Sequence, residues 1–136
     1  MPKRILFLCT GNAARSQMAE ALANAFFSDR FAAVSAGSRP AGYVHPLAIR
    51  ALGEIGIDAT SARSKNATEF ADEAFDLVIT VCDSAAQDCP HWPNAKRIEH
   101  WPIVDPSFGA FDDASHLRRF VETRDELERR IAALED

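Results

Sequence analysis

Two stretches of this chain, Ile5-Leu6-Phe7-Leu8 and Leu77-Val78-Ile79-Thr80-Val81, carry almost no polar side chains. A strand with one face in water alternates apolar and polar residues, so an unbroken apolar run marks a strand covered on both faces. Such strands belong to parallel sheets, whose crossover helices lie against the faces. The sequence between the runs supplies crossovers. Gln17 to Ala23 reads as a helix opened by Ser16, and Phe31 to Ala36 as a second strand stopped by Gly37. Pro46 begins a helix through Leu52, closed by Gly53 and Gly56, and Asn66 or Thr68 opens a shorter one through Phe70. The second apolar run extends from Asp76 to Cys82, and Arg97 to Trp101 reads as a short edge strand. From Asp113 onward, Leu117, Phe120, Val121, Arg124, Leu127, Ile131 and Leu134 recur at helical spacing, leaving a charged outer face. The expected fold is α/β, a three-layer arrangement of about four parallel strands flanked by helices. With 136 residues, 47% of them hydrophobic, one domain spanning 1–136 is expected.

Ligands of such sheets sit at the carboxyl ends of the strands, and the first strand ends in Cys9. The loop Cys9-Thr10-Gly11-Asn12-Ala13-Ala14 then leads through Arg15 and Ser16 into the first helix. Gly11 and Asn12 are residues able to take a positive φ, which a tight loop here needs. Amides of Thr10 through Arg15, together with the helix N-terminus, make a cradle for a tetrahedral oxyanion. Arg15 can grip that oxyanion with two parallel hydrogen bonds, and the same field favours the nucleophilic thiolate of Cys9. Ser16 has two available jobs, capping the helix or donating to the Cys9 sulfur. The spacing from Cys9 to Arg15 alone also describes a buried strand-end thiol near a surface arginine; the strand–loop–helix context argues for the site.

Three other features carry chemistry. Cys82 and Cys89 lie seven residues apart, which in a helix is roughly 10.5 Å along the axis. A disulfide needs Cα atoms within about 7 Å, so the pair bonds only if the segment unwinds. The residues alone leave two unrelated buried thiols as an open alternative. Asp105-Pro106 lies in a Pro-rich loop after the edge strand, where a carboxyl held stiffly suits a general acid, or simply marks a turn. His100 and Trp101 beside it are candidates for a pocket wall or for plain packing.

Composition excludes other classes. A net charge of −5 without a basic patch argues against nucleic-acid binding, and no stretch approaches the ~18 consecutive apolar residues of a membrane span. No Cys-x2-Cys or His-x3-His pair favours a metal site. Three cysteines, an odd number, fit a reducing compartment, and the first strand begins too early for a cleaved leader. A cytoplasmic location is therefore expected, as is a monomer.

The chain resembles the thioredoxin-coupled arsenate reductases, which share the fold of low-molecular-weight protein tyrosine phosphatases. The residues that carry the resemblance are Cys-Thr-Gly-Asn-x-x-Arg-Ser-Gln-Met-Ala-Glu at 9–20, Ser35-Ala36-Gly37, Val81-Cys82 through Cys89-Pro90, Glu99-His100-Trp101 and Asp105-Pro106. The resemblance implies reduction of arsenate to arsenite for arsenic detoxification, with phosphate or sulfate as substrate analogues. Cys9 attacks arsenic while Asp105 protonates the departing oxygen, and Cys82 then attacks Cys9. Cys89 in turn takes the disulfide to a looped-out Cys82–Cys89 pair that thioredoxin reduces. No resident cofactor or metal is implied.

Two departures qualify the match. Some relatives carry a further cysteine where this chain has Ala14, which removes an off-path disulfide partner and no step. Some also bind potassium through residues matching Asn12, Glu20 and Ser35 plus an aspartate, whose position corresponds to Lys65. An ammonium there is expected to take the cation's place and pair with Glu20, so no potassium requirement follows. The principal rival is a low-molecular-weight tyrosine phosphatase using Cys9, Arg15 and Asp105. Ser107-Phe108-Gly109 after the Asp-Pro, and Tyr43 as the chain's single tyrosine, leave that rival without the tyrosines that phosphatases often carry there. A thiol redox sensor built on Cys82 and Cys89 leaves Arg15 and Asp105 unused. A reductase coupled to a small thiol has no need of Cys89.

Overall fold

The apolar run at the chain's start lies at the centre of a sheet. A computed structural model describes residues 2–81, 95–109 and 112–134. In it β1 (Lys3–Cys9), β2 (Phe31–Gly37), β3 (Phe75–Thr80) and β4 (Ala95–His100) form one parallel sheet of four strands in the order β2-β1-β3-β4. Three α-helices, α1 (Arg15–Phe26), α2 (Pro46–Gly53) and α3 (Asp113–Ala132), and a 3-10 turn at Ala67–Phe70 complete the described elements. The α/β architecture expected from the alternation of apolar runs and helical segments is the one found.

Alternation along β1 sorts its side chains to the two faces. Ile5, Phe7 and Cys9 pack with Met18 and Leu22 of α1, Ala48 and Leu52 of α2, and Phe120, Leu127 and Ile131 of α3. Leu6 and Leu8 turn to the other face, where Val78, Phe75 and Phe70 meet them. Ile5 through Leu8 are all fully buried, and each such side chain contributes about 1.5–3 kcal/mol relative to exposure. That is why the run is unbroken: a polar residue on either side would meet no water.

Several boundaries differ from expectation for local reasons. Ser16 does not cap α1; the residue before the helix is Ala14, which has no side chain able to do so. The short helix near Asn66 is a single 3-10 turn, opened by Asn66 Oδ1 accepting from the Thr68 N–H. β3 stops at Thr80, and β4 starts two residues before Arg97. The α2 cap is His45, whose Nδ1 accepts from the Leu47 N–H at 3.1 Å, with Pro46 at the first helical position where no N–H is needed. Trp101 is buried as a packing residue, whereas His100 is exposed at the end of the edge strand. Trp101 lies 6.1 Å from Phe7, ring centroid to centroid, and His100 Nδ1 is 2.6 Å from Thr80 Oγ1. Cys82 and Cys89, and with them the expectation that the segment between them unwinds, lie outside the described residues. Among the described residues no helix is long and apolar enough to cross a membrane.

Gly37 explains why the second strand ends where it does. It pairs with Cys9 across the β1–β2 ladder, directly beneath the loop that follows β1. A Cβ on Gly37 would stand 2.5 Å from the Thr10 carbonyl oxygen and 3.1 Å from the Asn12 backbone nitrogen. Backbone is the obstacle, so no side-chain rotation relieves it. Gly37→Ala is therefore expected to destabilise the protein by about 1–3 kcal/mol in urea unfolding and to displace the Cys9–Ala14 loop. Unchanged unfolding midpoints would show that the loop yields freely.

Candidate active site

The loop after β1 is held from outside. Its carbonyls at Thr10, Gly11 and Ala13 accept from the backbone N–H groups of Arg39, Ala41 and His45 at 2.9, 2.8 and 2.8 Å. In a planar trans peptide the next N–H points opposite to the carbonyl. Fixing these three carbonyls outward thus turns the amides of Gly11, Asn12 and Ala14 inward. The Asn12 N–H does arrive at the Cys9 sulfur, at 3.1 Å. Asn12 makes the turn with φ of +49°, the left-handed region that asparagine tolerates. Gly11, the other candidate for a positive φ, does not take one. The first-turn amides of α1 follow at once, with no helical carbonyl to bond.

Cys9 is 2% exposed at the floor of this loop. Ser16 Oγ stands 2.8 Å from its sulfur. Ser16 also accepts from Asn12 Nδ2 at 2.8 Å, which leaves its hydroxyl proton directed to Cys9. Two donors, the Asn12 N–H and the Ser16 hydroxyl, thus converge on the sulfur. Of the two jobs open to Ser16, holding the thiol is the one it performs.

Behind the loop the hydrogen bonds continue without a break. The second Nδ2 proton of Asn12 goes to Ser35 Oγ at 3.0 Å, and Ser35 donates to Glu20 Oε1 at 2.7 Å. Lys65 Nζ sits 3.3 Å from the same Glu20 oxygen and 2.9 Å from the Arg63 carbonyl. The ammonium of Lys65 thus occupies the far end of the chain and pairs with Glu20, as expected from the sequence. Asn12 Oδ1 accepts from Gln17 Nε2 at 2.8 Å and from the Lys65 N–H at 2.7 Å, which fixes the orientation of its amide.

Arg15 and Asp105 form the rim. Arg15 Nη1 donates to the Ile103 carbonyl at 2.8 Å, and its Nη2 lies 3.9 Å from Asp105 Oδ2. Asp105 Oδ1 accepts from the Ser107 N–H at 2.9 Å and hydroxyl at 2.7 Å, so its turn also aims the carboxyl. Cys9, Thr10 to Ala14, Arg15, Ser16 and Asp105 are therefore brought together at the carboxyl end of the sheet. A sulfur beneath converging amides, beside a guanidinium and a carboxyl, suits nucleophilic attack on a tetrahedral oxyanion. Among the described residues no cluster of three His, Cys, Asp or Glu side chains gathers to hold a metal ion.

Sequence reading missed His45 and the brace it belongs to. Besides holding the Ala13 carbonyl and capping α2, its ring stacks against Phe120, with centroids 4.6 Å apart. Burial lowers the imidazole below its ordinary titration range, Asp105 pulls it back up, and His116 adds to the lowering. A histidine before a proline carries no local signal of this, because its partners are remote in sequence.

The model of the low molecular weight phosphotyrosine protein phosphatase family matches residues 4–136. An arsenate reductase of Halalkalibacterium halodurans is 40% identical over 129 residues, covering 95% of this chain and 92% of that protein. A solved arsenate reductase in the phosphate binding state superimposes with a TM-score of 0.80 at 32% identity, covering 96% of this chain and 94% of the other. A thioredoxin-dependent arsenate reductase of Corynebacterium glutamicum gives a TM-score of 0.67 at 30% identity, covering 96% of this chain and 62% of that one. Matched almost end to end in both sequence and backbone, the chain belongs to the low molecular weight phosphotyrosine protein phosphatase family, with the proteins named arsenate reductase among its relatives.

Proposed function

We propose that the protein reduces arsenate to arsenite through a relay of its three cysteines, with thioredoxin as the reductant. The observation that carries this reading is the Cys9 sulfur, held by Ser16 and the Asn12 amide under a loop whose N–H groups converge with Arg15. The resemblance at Cys82 and Cys89, and the similarity to arsenate reductases over nearly the whole chain, support reduction over hydrolysis. Arsenate, with phosphate or sulfate as analogues, lies in the loop with its oxygens on the amides of Thr10 to Ala14 and on Arg15. The Cys9 thiolate attacks arsenic, and Asp105 gives its proton to the departing oxygen. Cys82 then attacks the Cys9 sulfur, the S–As bond breaks, and its electron pair stays on arsenic. Arsenic(V) becomes arsenic(III), the two thiols become a disulfide, and arsenite leaves. Cys89 attacks Cys82, restores the Cys9 thiolate and carries the disulfide to Cys82–Cys89, which thioredoxin reduces.

No potassium ion is needed in this scheme. The residues matching a potassium site, Asn12, Glu20 and Ser35, are already closed by the Lys65 ammonium. A second positive charge there would meet that ammonium at close range, so the residues present do not fit the ion. A phosphatase reading draws on the same Cys9, Arg15 and Asp105, and slow aryl phosphate hydrolysis is expected as a side activity.

Three outcomes test these assignments. Arsenate-dependent NADPH oxidation, coupled through thioredoxin and its reductase, should vanish in Cys9→Ser, Cys82→Ser and Cys89→Ser alike. Turnover by either of the last two with thioredoxin would sink the relay. Asp105→Asn should lower kcat by roughly 10²–10⁴ while sulfate still binds, as loss of a general acid does. Exchanging sodium for potassium at fixed ionic strength should leave wild-type turnover unchanged, whereas Lys65→Met should lower kcat/KM by about tenfold, equivalent to ~1.4 kcal/mol of lost positioning. A marked potassium activation of the wild type would overturn the role given to Lys65.

A further inference from the structure

His45 is a titratable group at the loop that the relay does not use. Three of its contacts matter for the loop. Its N–H holds the Ala13 carbonyl, its Nδ1 accepts from the Leu47 N–H, and its ring lies against Phe120 of α3. Because Nδ1 is an acceptor, the neutral ring carries its proton on Nε2. Among the described residues no group accepts a hydrogen bond from that Nε2. The titratable groups whose charge acts on the ring come from two other elements, Asp105 from the 101–109 loop and His116 from α3. Arg15 of α1 lies 3.9 Å from that same Asp105, and His116 Nε2 is 3.1 Å from the Gly109 carbonyl oxygen at the end of the Asp105 loop. His45 is thus tied by its backbone to the oxyanion loop and by its field to the acid.

We propose that His45 is a pH-gated positioning residue of the oxyanion site, neutral at neutral pH and on acidification an imidazolium that strengthens the hold on a tetrahedral dianion. The proton must enter at Nδ1, since Nε2 already has one. A protonated Nδ1 no longer accepts from Leu47, so the gain of charge is coupled to loss of the α2 cap bond. Burial and the cap bond both hold the ring neutral, and His116 works with them. The Asp105 carboxylate works against them, as a bound dianion would. By reciprocity, a group that favours the imidazolium is itself bound more tightly once the imidazolium forms.

This inference rests on the oxyanion assignment made above, and sulfate tests it because its charge is constant between pH 7.5 and 5.5. Sulfate affinity of the whole reduced protein is measured at both values for wild type and His45→Asn. Asparagine keeps a side-chain acceptor at the α2 cap, so the helix stays closed. Between the two pH values the wild type should tighten its hold roughly three- to tenfold more than the variant, the scale of one added charge in a partly screened site. Equal pH dependence in the two proteins overturns this proposal alone. Failure of the wild type to bind sulfate at either pH overturns the oxyanion assignment and this inference with it. NMR titration of the imidazole supplies a second readout: in Asp105→Asn the His45 midpoint should move lower, and an unmoved midpoint overturns the coupling.

Discussion

The outward fixing of three carbonyls is the constraint on which this site depends. Left alone, a short loop between a strand and a helix points its peptide groups wherever local sterics allow. Here the segment from Arg39 to His45 takes the carbonyls of Thr10, Gly11 and Ala13, and the opposite edges of those peptides face the sulfur. The cradle is therefore assembled before any anion arrives, which is what electrostatic preorganisation requires. The brace in turn depends on Gly37, where a single methyl would collide with the Thr10 carbonyl. A loop that looks autonomous in the sequence is shaped by a neighbour almost thirty residues downstream.

Asn12 joins the cradle to the rest of the molecule. It is fully buried, and its amide makes two donor and two acceptor bonds, the full inventory of that side chain. A buried polar network is favourable only when every member is satisfied, and this one ends at the Cys9 sulfur on one side and at the Lys65–Glu20 ion pair on the other. Since the amide cannot turn over without breaking four bonds, the direction of the Ser16 hydroxyl is set from behind. The rim is looser. Arg15 and Asp105 stand 3.9 Å apart at the partly exposed rim, so this pair contributes little to stability.

What was legible in the sequence was local or periodic. The strand, loop and helix from Ile5 to Ala23 follow from a continuous apolar run meeting a glycine–asparagine turn, and α3 follows from its apolar stripe. Cys9, Arg15, Ser16 and Asp105 were readable as chemistry, and the structure brings them to one end of the sheet. The choice between the two roles of Ser16 was not readable, because it turns on Ala14 preceding the helix and on the direction of the Asn12 amide. The pairing of Lys65 with Glu20 was reached through resemblance, since the two are 45 residues apart and neither has a local pattern that announces the other. His45 was invisible: its neighbours Phe120, Asp105 and Ala13 come from three separate stretches. Periodicity reports faces, and motifs report loops; neither reports which distant carbonyl an amide will find.

Lys65 has a consequence for the chemistry of its surroundings. An ion that completes a binding loop is a dissociable component, so the fraction of molecules in working order follows its concentration by mass action. A cation carried on the chain has no off-rate and no concentration. Its local abundance is set by the length of four methylene groups, and Glu20 meets it whatever salts the solution holds. With the proposed role of Lys65, such a site exchanges adjustability for constancy: its readiness is written into heredity instead of being read from the medium.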